Sequence, residues 1–188
     1  MCDIPLLIGL VLAGETTFLA AAACILGVVL TSSNPFSAGG SPILVAVAIG
    51  LILASVVLMN LVVAALNNCG SGSGGCAQFA SRVRGFAIAL AVTLTAMAVT
   101  TAFMLPVLAI PFGGSAAAII LAATMIAAAV SFAVIADALR SLELCVRGAN
   151  TVASAVVLAI SVVGVVVGML VSGSIFLPGG PPCTGPNC

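Results

Sequence analysis

The sequence predicts an all-α protein, a polytopic transmembrane helical bundle of about five spans forming one integral membrane domain over residues 1–188. Three observations carry this. Hydrophobic residues make up 63% of the 188 and charged residues 4%, against about 25% charged in a soluble domain, so most of this surface could not face water. The apolar residues gather in stretches of the roughly 20 residues that a helical span needs. Those stretches lack the period-two alternation of a membrane barrel, and lipid admits only helices or closed barrels because backbone polar groups must pair internally.

The predicted spans cover about residues 4–30, 43–66, 86–110, 116–139 and 151–176. The first contains "LAAAAC" (Leu19–Cys24), which loosely resembles a cleavage site or lipobox. It lacks a basic leading region, and Glu15 interrupts the apolar run, so this span is expected to be retained. The second follows "NPFSAGGS" (34–41), in which Pro ends one helix and Gly-Gly turns the chain before the next begins at Ser41. Ahead of the third span lies "GSGSGG", flanked by Cys69 and Cys76. The fourth follows "IPFGGS" (110–115) and continues through Asp137, Arg140, Glu143 and Arg147. Their spacings of three and four predict a solvated helical extension supported by ion pairs. Beyond the fifth span, residues 177–188, "LPGGPPCTGPNC", form a short Pro/Gly/Cys tail.

The two "PF…GGS" turns suggest duplication. Aligning "GGSPILVAVAIG" with "GGSAAAIILAAT" sets spans two and three over spans four and five. The expectation is a tandem repeat of two helical hairpins, with the first span as an extra unit. Arg82, Arg84, Arg140 and Arg147 all fall at one end of the bundle, whose opposite loops and tail carry no charged side chain. The positive-inside bias therefore predicts a cytoplasmic N-terminus and an external C-terminus, in a cell or inner membrane.

Composition also excludes function classes. There is no His, no Trp and no Tyr, which removes the commonest general base and metal ligand. No basic stripe exists to bind nucleic acid. No nucleophile–base pair, phosphate loop or nucleotide fingerprint appears, so no enzymatic activity and no cofactor are expected. The C-x6-C spacing of Cys69 and Cys76 is not a recognised ligand pattern. Ordinary thiols are therefore expected at Cys2, Cys69, Cys76 and Cys145, ahead of a metal site or lipidation of Cys2. Cys183 and Cys188 are a candidate disulfide in the outer tail if the compartment is oxidising. An inverted topology would make Cys69–Cys76 a plausible external disulfide, so these cysteines pull against the arginines. The arginines are given precedence.

Glu15 is the one charge deep within a span. At 1.5 Å rise per residue it lies about 16 Å from the end of its helix, and Ser55, Thr95, Ser131 and Ser161 lie at about 12–17 Å on theirs. One carboxyl and four hydroxyls thus share a candidate midplane layer. It reads either as an ion or proton site or as a protonated acid bonded to a neighbouring hydroxyl. Asn60 is shallower and reads as a helix–helix hydrogen bond. Small residues at four-residue spacing mark candidate packing faces: Gly164, Gly168 and Ser172; Ala46, Gly50 and Ala54; Ala129 and Ala133. They read first as packing within one compact bundle; if one of them faces another subunit, the stripe at Gly164, Gly168 and Ser172 is the candidate, because valines flank it.

Tandem hairpins, Gly/Ala-rich helices and a buried acid make the chain similar in outline to the duplicated proteolipids of rotary ATPase rings. In that family the ion-binding acid lies on the outer helix of a hairpin. Here Glu15 lies on the unpaired first span, and the matching positions of spans three and five carry no acid, so membership does not follow. The leading expectation is a non-enzymatic multi-pass subunit in a larger membrane assembly, with the lipid bilayer and other membrane subunits or further copies as partners. The alternative is a small ion, proton or solute transporter or channel built on Glu15. A membrane-inserting toxin or its immunity partner ranks third.

Overall fold

The computed structural model describes residues 3–32, 41–67, 69, 75–104 and 116–176. These form α1 (Ile4–Ser32), α2 (Ser41–Asn67), α3 (Ala77–Met104), α4 (Ala116–Arg147) and α5 (Val152–Phe176). All five are long and apolar enough to cross a membrane. The chain is thus a multi-pass helical membrane protein by the length and composition of its helices. Residues 33–40 and 105–115, which hold the two "PF" stretches and their Gly-Gly pairs, and the tail with Cys183 and Cys188 lie outside the described residues.

Helix ends follow local chemistry. Asp3 caps α1: its Oδ1 accepts from Leu6 N (3.2 Å) and its carbonyl from Leu7 N (3.1 Å). Pro5 and Pro42 sit in the first turns of α1 and α2, where a missing N–H leaves no helical bond unmade. α3 begins well before the predicted 86, because nothing in "AQFASRVRG" breaks a helix and only its polarity hid it. Arg82 and Arg84 therefore lie inside α3. α4 runs to Arg147 as the charge spacing predicts and stops at Gly148, whose φ of +73° is left-handed and suits glycine. Gly148 N donates to Leu144 O at 2.9 Å.

Each helix packs on its sequence neighbour, and α5 returns to α1, closing the bundle. Neighbours run antiparallel, whereas α1 and α5 run parallel. α1 also touches α4, and these two bury the largest share of their length, forming the central pair. Between them Phe18 and Phe132 pack with ring centroids 5.5 Å apart. Met59, Met97 and Met125 fill the remaining space, a use suited to their flexible side chains. Ile43, Val92, Phe103 and Leu170 point outward, as an apolar solvent allows. Half-buried Thr93 and exposed Thr95 donate to carbonyls of their own helix, Ala89 O and Ala91 O, which leaves neither hydroxyl unpaired.

Candidate functional site

Two consecutive residues of α1 bring most of the bundle together. At Gly14 the absent side chain lets α2 and α4 approach: an added Cβ would collide with the Met59 methyl and lie 3.7 Å from Leu58 Cβ and from Phe132 Cε1. The Gly14 carbonyl accepts from Thr17 Oγ1 (2.8 Å) on its own helix and from Ser55 Oγ (2.8 Å) across on α2.

Glu15 turns toward α5 and is buried, with 1% of its surface exposed. Its Oε2 lies 3.0 Å from Ser161 Oγ, which is itself 2.9 Å from the Val157 carbonyl. Ser161 has one hydroxyl proton for these two oxygens. A protonated Glu15 satisfies both, because Oε2–H donates to Ser161 Oγ and the Ser161 hydroxyl donates to Val157 O. An ionised Glu15 competes with Val157 for that single proton, and a bare carboxylate in hydrocarbon is costly. The geometry fits the neutral acid. Oε1 has no hydrogen-bond partner among the described residues. It faces Gly164, where an added Cβ would stand 3.3 Å from Oε1 and 3.6 Å from Leu19 Cδ2.

The five-member polar layer does not assemble as a unit. Ser161 meets Glu15, and Ser55 reaches the adjacent Gly14 carbonyl. Thr95 is exposed on the outer face of α3, and half-buried Ser131 donates back to Ala127 O at 2.7 Å. Equal depth does not make neighbours: the layer was drawn from position along each axis, and helical phase turns Thr95 and Ser131 away. Asn60 is likewise exposed and donates to Val56 O of its own helix (2.9 Å), not to another helix.

The small-residue stripes separate too. Gly164, Gly168 and Ser172 face inward. A Cβ at Gly168 would be 3.1 Å from Ala129 Cβ and 3.8 Å from Met125 O, and Ser172 Oγ donates to Ala122 O at 3.2 Å. This stripe packs within the bundle, against α1 and α4, which corrects only its candidacy as the contact with another subunit. Ala46, Gly50 and Ala54 instead lie exposed along α2, and nothing stands within 4 Å of where a Gly50 Cβ would be.

A second buried acid was not foreseen. Glu143 is not part of a solvated face: it is 0% exposed, because it folds over the α4–α5 turn. Its Oε2 accepts from Thr151 N at 3.2 Å, with Arg147 Nη1 4.0 Å from Oε1. Ser154 Oγ donates to Thr151 O, which also accepts from Ala155 N at the start of α5. The available signal was a glycine and a threonine placed five and eight residues after an acid, which lets a tight turn bring the cap back to it. Glu143→Ala is expected to lose about 1.5 kcal/mol, the low end for a bond to a charged group because Thr151 is only half-buried. Glu143→Gln should lose less, since its carbonyl oxygen still accepts. Thermal unfolding in detergent measures both.

Cys69, Cys76 and Cys145 are not the ordinary thiols expected, while Cys2 lies outside the described residues. Cys76 and Cys145 form a disulfide with Cα atoms 5.9 Å apart, within the usual bridging range. Cys69 is disulfide-bonded as well, and Cys24 within α1 is free. The pairing follows from antiparallel α3 and α4: Cys76 immediately precedes one and Cys145 lies in the last turn of the other. Comparison with protein-family models, curated proteins and solved structures finds no match for the chain.

Proposed function

We propose that this protein is a non-enzymatic multi-pass membrane subunit that packs in, or stabilises, a larger membrane assembly. The observation that carries the reading is how the buried polar side chains are used. Ser55 bonds α2 to α1, Glu15 and Ser161 join α1 to α5, and Ser172 bonds α5 to α4. Each joins one pair of helices instead of converging on a shared group of donors and acceptors. The outward stripe of Ala46, Gly50 and Ala54 supports association, because small residues let a second backbone approach where lipid supplies no hydrophobic drive. The two hairpins, α2–α3 and α4–α5, are read as tandem units on the strength of their shared "GGS" starts. The arginine count alone would put the N-terminus in the cytoplasm; the disulfides at the same end weigh against it.

A second reading rests on one atom. Glu15 Oε1, without a hydrogen-bond partner among the described residues and buried beside Gly164, is what a proton or cation carrier would place in a bundle. Gentle isolation from native membranes separates the two readings. The subunit reading expects co-purifying membrane proteins in fixed proportion, lost on Gly50→Leu while the bundle itself stays folded. A lone chain that moves ions in vesicles would contradict it.

A further inference from the structure

The cysteines and the arginines occupy the same end of the bundle, yet they imply opposite compartments. We propose that this end, carrying Cys69, Cys76 and Cys145, faces an oxidising compartment. The N-terminus and the α4–α5 turn are then outside, and the C-terminal end of α5 is on the cytoplasmic side.

Disulfides form and persist outside the cytosol and are rare within it. Two separate disulfides engage this end: Cys76–Cys145, and that of Cys69. The free Cys24 lies instead in the half of α1 toward the other end, within the apolar run. The opposing signal is four arginines, a small count for the positive-inside bias to act on. Arg147 stands beside Glu143 at 4.0 Å. With the Asn150 amide turned to satisfy both groups, Arg140 Nε donates to Asn150 Oδ1 (3.0 Å) and Asn150 Nδ2 donates to Arg140 O (3.2 Å). Arg147 thus stands near one carboxylate, while Arg140 hydrogen-bonds a neutral amide and keeps its charge. The positive-inside rule is a statistical bias, whereas a disulfide persists only where the compartment does not reduce it.

The reaction is thiol–disulfide exchange with a disulfide-bearing oxidant of that compartment. Cys145 is exposed and Cys76 buried, which sets the order. The Cys145 thiolate attacks one sulfur of the oxidant, forming a mixed disulfide and releasing one thiol. The Cys76 thiolate then attacks the Cys145 sulfur, closing the crosslink and releasing the second thiol. The two protein thiols give up two electrons and two protons, and the oxidant leaves as two thiols.

The test uses the full chain in sealed cells. Free thiols are first blocked with a membrane-impermeant maleimide. An impermeant phosphine then reduces the outer face, and a mass-tagged impermeant maleimide is added before peptide mapping. The expected result is tagging of Cys145, with Cys76 following on denaturation, only after reduction and without permeabilisation. Tagging that requires permeabilisation overturns the proposal, as does tagging of Cys145 before reduction. Cys76→Ser guards against slow reduction of the native crosslink. With the first blocking step omitted, its lone Cys145 should be tagged in sealed cells, and a Cys145 reached only after permeabilisation again overturns the orientation.

Discussion

Gly168→Leu is expected to push α5 away from α4 and to leave little folded protein in detergent. The reason is distance: even a Cβ at this position would stand 3.1 Å from Ala129 Cβ, and the rest of a leucine has nowhere to go but between the two backbones. Overpacking a tight contact costs about 1–3 kcal/mol and occasionally more. Here the upper end is expected, because Ser172 would also be drawn off the Ala122 carbonyl one turn away. Gly168→Ala should be close to the parent, since its single methyl needs a shift of a few tenths of an ångström and alanine favours the helix by about 1 kcal/mol. Thermal unfolding and size-exclusion profiles read the difference. A leucine variant as stable as the parent would mean that α4 and α5 are not in close contact.

Gly14→Leu should be more damaging still. Gly14 is where α1 meets both α2 and α4, with Leu58, Met59 and Phe132 around the missing side chain. A leucine would push Met59 aside, strain the Phe18–Phe132 pair and lengthen the Ser55 bond to the Gly14 carbonyl. A loss of about 3 kcal/mol or more is expected from overpacking against two helices at once. Gly14→Ala should be milder, because the methyl end of Met59 can swing away. Equal stability of Gly14→Leu and the parent would contradict the central α1–α2–α4 contact.

What was legible in the sequence was whatever depends on one helix at a time. Apolar length marked each of the five helices, and charge spacing carried α4 to Arg147. Of the residues grouped with Glu15 by position along the helices, Ser161 does meet it. Facing was not legible, because a nearly uniform apolar helix gives no phase signal: Thr95 and Ser131 share the depth of Glu15 but turn elsewhere. For the same reason the small-residue spacing could not tell that Gly164, Gly168 and Ser172 face inward and Ala46, Gly50 and Ala54 outward. The Cys76–Cys145 crosslink and the Glu143 clasp escaped for a related reason. Both depend on which helix ends lie together, and the charge pattern of α4 reads as solvated until the α4–α5 turn is seen to cover it.

The central claim is that Glu15 holds α1 to α5 as a neutral acid and carries no ion. Glu15→Gln tests it most directly, because the amide can still donate to Ser161 Oγ while the titratable proton is gone. Parent and variant would be reconstituted into vesicles with an imposed proton or sodium gradient, and both flux and unfolding temperature measured. The account predicts no flux above empty vesicles from either protein and a variant that unfolds within a few degrees of the parent. Flux in the parent that disappears in a normally folded Glu15→Gln would contradict it and make Glu15 the transport site.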